Sequence, residues 1–304
     1  MLGIQFTQFG GPEVLELVEL PDPEPGPGQV RVAVRATGIN PIDWKVRSGA
    51  MGGELPRRTG QEVSGVVDKL GDGVTGVELG EAVFGAAAGG GGAAELALVE
   101  NYARVPEVLD FAGAAALPVA VETAVRCLDE LDVEGGQTIV INGASGSVGI
   151  SAVQCARARG ARVIGTAGAA NQDYVRGFGA EPTTYGDGLV DRVRALLGDD
   201  GVDLALDASG GGALPALVKL TGSPERVLTI ADYAGAEATG VTFSGGAGTP
   251  RAWHALADVA QLIQDGRFRL PVAQTFPLAD IGEAHRISAS GHPHGKLVVI
   301  VSDG

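Results

Sequence analysis

Gly143, Gly146 and Gly149 stand three residues apart in "NGASGSVG" (142–149), with only Ala, Ser and Val between them. Small residues at this spacing let backbone N–H groups approach a pyrophosphate at a helix N-terminus, where larger side chains would hold the phosphates away. The preceding Thr138-Ile139-Val140-Ile141 is a β-branched apolar run, which predicts a strand buried on both faces. From Ile150 to Arg159 the apolar period becomes helical, Gly160 stops it, and residues 162–166 form a second apolar strand. The strict glycine fingerprint would need glycine at Ala144, so the weight falls on these flanks. Strand, glycine turn, helix, strand is one βαβ unit. Its turn, Gly143, Ala144, Ser145, Gly146, Ser147, Val148 and Gly149, reads as a dinucleotide site.

The end of the second strand selects the cofactor. An NAD site places a carboxylate about 20 residues beyond the glycines, on the ribose 2′-OH. Here the strand ends in "VIGTAG" (163–168) without an acid, which permits NADPH. Thr166, Asn171 and Tyr185 offer uncharged hydrogen bonds, and Lys296 is a distant cation. Asp207, Ala208, Ile230 and Ala231 end later strands, where a nicotinamide ribose and carboxamide would lie.

What must position this turn is a chain of 304 residues, 45 % hydrophobic, long enough for two domains. The formal net charge of −15 argues against nucleic acid or an anionic membrane as partner. The opening "MLGIQFTQFGG" has no signal-peptide layout and no apolar run reaches membrane-spanning length, so a cytoplasmic protein is expected. Cys127 and Cys155 match no metal spacing and read as core residues.

Residues 1 to about 116 read as β-rich, with strands at "QVRVAVRATGIN", "EVSGVVDKLG", "EAVFG" and "AELALVE". The low-complexity "AAAGGGGAA" (86–94) reads as a flexible loop between strands. From about 117, strand and helix alternate, which predicts a parallel sheet covered by helices on both faces; "PRAWHALADVAQLIQDG" is its last, long helix. The closing strand, helix and strand from 270 onward return to the first domain. The fold class is α/β: a β-rich catalytic domain at 1–116 and 265–304, with a Rossmann domain at 117–264.

With these pieces in order, the chain resembles the zinc-independent, quinone oxidoreductase-like branch of the medium-chain dehydrogenase/reductase superfamily. The carriers are "GINPIDWKVRSG" (38–49), "TGQEVSGVV" (59–67), "LGEAVFG" (79–85), "AAALPVAVETA" (114–124), "NGASGSVG", "VDLALDASG" (202–210) and "HGKLVV" (294–299). The resemblance implies a GroES-like catalytic domain, NADPH in the cleft beside a Rossmann domain, reduction of a quinone or an activated C=C bond, and a homodimer. Zinc-dependent relatives carry Cys where this chain has Asn40, and Gly-His-Glu where it has Gly60-Gln61-Glu62, so no zinc is expected. His292 and His294 form the one close histidine pair and read as loop residues.

Hydride transfer without a metal needs an aligned acceptor and something to stabilise the developing enolate. The resemblance places Asn40 at the cleft, where its amide could donate to a substrate carbonyl or a ribose hydroxyl; equally, it caps a turn before Pro41. Asp43 could be an acid or a helix cap. Glu122 could relay a proton or pair with Arg126 one turn on, and Thr123 would contact cofactor. Relatives show tyrosines where this chain has Ala50-Met51 and Ala93/Leu96, which implies a roomier, less aromatic pocket. The expected activity is therefore an NADPH-dependent quinone or enone reductase, with a tailoring reductase for a polyketide-type enone, or a non-catalytic NADPH-binding sensor, as alternatives.

Overall fold

The computed structural model describes residues 1–246, 248–291 and 295–302. They form two compact units, Met1–Val119 with Trp253–Gly304, and Ala120–Ala252. The first stretch supplies β1 (Leu2–Phe6), β2 (Glu16–Glu19), β3 (Val30–Ile39), α1 (Pro41–Arg47), β4 (Arg57–Arg58), β5 (Glu62–Leu70), β6 (Ala82–Ala87), β7 (Leu96–Arg104) and α2 (Phe111–Ala115). Along β3, Val30, Val32 and Val34 alternate inward and pack with Val63, Val67, Val83 and Val99. β3, β5, β6 and β7 pair in that order, and β7 also pairs back onto β3, so the sheet closes on itself.

The second unit begins within α3 (Pro118–Glu130) and continues as β8 (Thr138–Asn142), α4 (Ser147–Ala158), β9 (Arg162–Thr166), α5 (Gln172–Arg176), β10 (Glu181–Thr183), α6 (Leu189–Leu197), β11 (Leu204–Asp207), α7 (Leu214–Thr221), β12 (Val227–Thr229), α8 (Tyr233–Thr239) and β13 (Thr242–Phe243). Its strand order, β10-β9-β8-β11-β12-β13, is the doubly wound arrangement with every pair parallel. The direction of winding reverses between β8 and β11, and ligands of such sheets bind beyond the strand ends at that point. Every residue of β8 is buried, as its unbroken apolar run predicts.

The chain then returns through α9 (Ala255–Gln264), β14 (Val272–Pro277), α10 (Ile281–Ser290) and β15 (Lys296–Ile300). β15 pairs antiparallel with β3 and parallel with β14, which extends the first unit's sheet. Helix α9 is shorter than the 250–266 stretch suggests and belongs to this β-rich unit. Its buried Leu256, Val259 and Ile263 are one apolar stripe, and a stripe alone does not reveal which core it faces.

The segment 86–94 is not a flexible loop. Residues 90–94 are buried, and the strip is hydrogen-bonded along its length: Gly92 N–H to Gly60 O (2.8 Å), Ala93 N–H to Thr59 O (3.0 Å) and Ile4 N–H to Ala93 O (2.8 Å). Gly60, at φ +97°, shows why glycine is required, since a Cβ there would lie 2.4 Å from Ala93 N. Within the tract, Gly92 is the glycine that approaches backbone, where a Cβ would stand 3.0 Å from Gly60 O.

Candidate functional site

In the Rossmann unit, β8 delivers the chain into the glycine turn and the turn's second half is already helix. α4 begins at Ser147, three residues before the helical period becomes visible in the sequence. Its N-cap, Gly146, has no side chain to cap the first-turn N–H groups of Ser147, Val148 and Gly149. Two contacts fix the tightness of the turn. A Cβ on Gly149 would stand 2.2 Å from Gly143 O, and one on Gly143, at φ +80°, would stand 2.6 Å from the Ser209 Cβ. Ala144 is fully buried and its N–H donates to Thr166 O (2.9 Å), so the missing third glycine is a position that faces protein.

Across the ends of four neighbouring strands runs a buried row of polar side chains. Thr166 Oγ1 donates to Asn142 Oδ1 (2.6 Å), and Asn142 Nδ2 donates to Asp207 Oδ1 (2.8 Å). Thr229 Oγ1 donates to Asp207 Oδ2 (2.8 Å). Strand register brings them together, since Asn142 is opposite both Thr166 and Asp207, and Asp207 is opposite Thr229. The row also holds backbone: Gly143 N–H donates to Thr166 Oγ1 (3.2 Å), Ser209 and Gly210 N–H to Asp207 Oδ1 (3.1 and 2.8 Å), and Ala231 N–H to Thr229 Oγ1 (3.1 Å). This corrects the expectation for Thr166 and Asp207. Their side chains are committed inside the protein and shape the loops that would meet a cofactor. Asn142 and Thr229 are the members that sequence reasoning missed. Ala208, half-buried, and Ala231, exposed, sit on the loops so held, and half-buried Ile230 is fixed by its N–H to Asp207 O (3.0 Å).

Beyond β9, Gly168 lies beside the Tyr185 ring, whose hydroxyl is 3.7 Å from the position of a Gly168 Cβ. Tyr185 is 60 % exposed, and Asn171 Oδ1 is buried with no hydrogen-bond partner among the described residues. Arg192, unremarked in the sequence, donates to the carbonyls of Thr184 (2.9 Å) and Asp187 (2.6 Å) and so pins the loop that bears Tyr185.

Glu122 is buried with both oxygens occupied. Arg126 Nε donates to Oε1 (2.8 Å), Ala252 N–H reaches Oε1 (3.3 Å) and Arg251 Nη1 lies 3.5 Å from Oε2. Arg126 also donates to Ser244 Oγ, which itself donates to Glu130 (2.6 Å). The ion pair with Arg126 is the arrangement found, and no proton relay is assigned to Glu122. Thr123 is half-buried, its hydroxyl 3.4 Å from Glu122 Oε2.

The β-rich unit carries a second polar cluster. Lys296 is not a distant cation for the cofactor: it is 2 % exposed, with Nζ 2.6 Å from Glu62 Oε1 and 2.6 Å from Asn40 Oδ1. Asn40 Nδ2 donates to Glu62 Oε1 (2.7 Å), and Glu62 Oε2 accepts from Val119 N–H (2.7 Å). Gly38 makes room for this carboxylate, because a Cβ there would stand 2.2 Å from Glu62 Oε1. The positions matching zinc ligands do not fit a metal. A lysine ammonium already neutralises Glu62, and among the described residues no three His, Cys, Asp or Glu side chains gather. His292 and His294 lie outside the described residues.

Asn40 is also the N-cap of α1, and Asp43 Oδ2 accepts from Asn40 N–H (2.7 Å). Burial pushes the Asp43 carboxyl up to about 7; the Asn40 N–H, Lys296 and the Gly60 backbone draw it down, and the Glu62 charge adds to the rise. Among the described residues Oδ1 has no hydrogen-bond partner. A carboxyl whose folded-state pKa is raised stabilises fully below its unfolded value, near 4, and loses that contribution as pH rises through 7. Asp43→Asn is therefore expected to be more stable than wild type at pH 8 by up to roughly 4 kcal/mol, with the advantage shrinking toward pH 4. Urea midpoints at the two pH values measure it, and a pH-independent difference would refute the assignment.

Comparison with known proteins gives family matches in both units, with the second crossing from the parallel-sheet unit into the β-rich one. Residues 26–125 match the family described as alcohol dehydrogenase GroES-like domain, and residues 178–299 the one described as zinc-binding dehydrogenase. Rat quinone oxidoreductase is 31 % identical, over 99 % of this chain and 98 % of its own length. A spectinabilin polyketide synthase protein of Streptomyces orinoci is 35 % identical over 95 % of this chain, which spans 14 % of that protein. Among solved structures, an NAD-dependent alcohol dehydrogenase superposes with TM-score 0.86 at 29 % identity, covering 99 % of this chain and 100 % of that one. A mycobacterial protein complexed with NADPH gives TM-score 0.84 at 28 % identity, covering 99 % and 100 %. Doubly wound sheet, uncapped glycine turn and full-length likeness agree: the chain belongs to the quinone oxidoreductase-like branch of the medium-chain dehydrogenase/reductase superfamily, whose members are nicotinamide-dependent oxidoreductases.

Proposed function

We propose that this chain is an NADPH-dependent reductase that needs no metal and passes hydride to a quinone or to the C=C bond of an α,β-unsaturated carbonyl. The observation that carries the reading is the uncapped N-terminus of α4, held in a turn so tight that a Cβ on Gly143 or Gly149 would collide with the Ser209 side chain or the Gly143 carbonyl. Ser147, Val148 and Gly149 would hold the pyrophosphate. Bound there, the reduced cofactor supplies hydride. The acid-free end of β9 supports NADPH over NADH, with Asn171 and Tyr185 as hydrogen-bonding groups and the Arg192 charge on α6, bonded to the loop that bears Tyr185. Asn40 would donate its uncommitted Nδ2–H to the substrate carbonyl. Residues 1–116 with 265–304 would form the catalytic domain and 117–264 the cofactor domain, in a cytoplasmic homodimer.

The test is loss of absorbance at 340 nm with NADPH and NADH separately, against 1,4-benzoquinone, 9,10-phenanthrenequinone, a linear enone and a cyclic enone. Turnover is expected with NADPH well above NADH. Preference for NADH would overturn the reading of β9, and absence of NADPH binding would overturn the site itself. The likeness to a polyketide synthase protein supports a second reading, a tailoring reductase for a larger enone. Ala50 and Met51, where relatives carry tyrosine, would open the pocket to it; binding of NADPH without turnover on the small acceptors would favour it.

A further inference from the structure

We propose that Lys296 is a positioning residue for Asn40 and, through its amide, brings positive charge to the oxygen of the reacting carbonyl. The inference rests on the reading of Asn40 as that carbonyl's donor. Asn40 is held from both ends: its Oδ1 accepts from Lys296 Nζ at 2.6 Å and its Nδ2 donates to Glu62 Oε1 at 2.7 Å. Turning the amide over would set its NH₂ against the ammonium and its oxygen against the carboxylate, so one orientation is enforced. Nδ2 carries two hydrogens, and the second finds no acceptor among the described residues. That hydrogen is what the cluster presents.

The ammonium also does electronic work. An amide that accepts a charge-assisted hydrogen bond at its oxygen becomes a stronger donor at its nitrogen. The Glu62 bond on the other hydrogen opposes this, so Glu62 orients the amide while Lys296 polarises it. Lys296 is 2 % exposed and Glu62 fully buried, so water does not screen the effect. An enone that accepts hydride at its β-carbon moves the C=C electron pair onto the α-carbon and carbonyl oxygen as an enolate. A solvent proton then completes the α-carbon. The polarised N–H faces the oxygen at the moment it gains charge, where a preorganised donor has its largest effect.

The charge-neutral pair Glu62→Gln/Lys296→Met avoids a stranded buried charge, and Lys296→Arg keeps the cation. The neutral pair is expected to lower kcat on a cyclic enone by about 10- to 100-fold, with NADPH Kd within about threefold of wild type, while Lys296→Arg retains most of kcat. The chain has four asparagines, so selective ¹⁵N-asparagine labelling gives few side-chain signals. The two Nδ2 protons of Asn40 are expected to be split beyond the ordinary separation of an amide pair in wild type and to fall back toward that separation in the neutral pair, a signature independent of turnover. Equal losses in Lys296→Arg and the neutral pair would assign the effect to packing and overturn the proposal. So would an unaltered kcat in the neutral pair alongside a lost one in Asn40→Ala. Full activity in Asn40→Ala would instead remove the underlying reading of Asn40.

Discussion

Replacing Ser147 by Asp is expected to abolish tight NADPH binding while leaving the protein at least as stable as before. Ser147 is the first residue of α4, and nothing caps that end. A carboxylate there meets the positive end of the helix dipole, which stabilises the helix by about 0.3–1 kcal/mol. The same carboxylate stands where the pyrophosphate would bind. Two like charges about 4 Å apart in a partly buried site repel by roughly 4 kcal/mol, so Kd should rise by at least about 100-fold. NADPH fluorescence titration and a thermal melt read the two effects separately. Loss of both would mean only that the turn had been damaged, and wild-type affinity would remove the turn from the site.

Asp207→Ala is expected to be the most damaging single change in the Rossmann unit. Asp207 is fully buried and accepts four hydrogen bonds, from Asn142 Nδ2, Ser209 N, Gly210 N and Thr229 Oγ1. Removing the carboxylate strands those donors out of reach of water, at a cost of about 3–5 kcal/mol. Asp207→Asn keeps one acceptor oxygen for the donors on the Oδ1 side and should recover about half of the loss. Denaturant unfolding gives the ranking wild type, Asn, Ala. NADPH affinity should fall in the same order, because Gly143 of the turn hangs on the same row through Thr166. Equal stability of all three would show that the row is not an energetic unit.

The glycine turn was legible because its evidence is local. The β8 apolar run, the change of period after it and the small residues between them lie in one continuous stretch, residues 138–159. The polar row was not legible, since Asn142, Thr166, Asp207 and Thr229 are brought together by strand register alone. Asp207 read as a ligand contact because it ends a later strand, where a nicotinamide ribose would lie; its lone pairs are used by two backbone N–H groups and by Asn142 and Thr229. The Lys296–Glu62 pair spans most of the chain, and its only local trace is that each charge opens its strand, Lys296 ahead of an apolar run and Glu62 ahead of a strand with further charges. Alternation read the β-rich unit's strands correctly but could not tell which unit α9 joins, because amphipathic faces do not name their partners.

The buried strip at 86–94 has a consequence for how this protein tolerates change over generations. A tract of alanine and glycine codons is monotonous, and such tracts readily gain or lose a triplet when copied. In an exposed linker that would be silent. Here the residue count between β6 and Ala93 sets whether Gly92 meets Gly60, Ala93 meets Thr59 and Ile4 meets Ala93. One glycine more or fewer shifts every partner by a place, and a deletion also brings the Ala93 methyl to the Gly92 place, where a Cβ would stand 2.7 Å from Val63 Cγ1 and 3.0 Å from Gly60 O. The stretch with the least varied spelling is therefore among those least free to change in length.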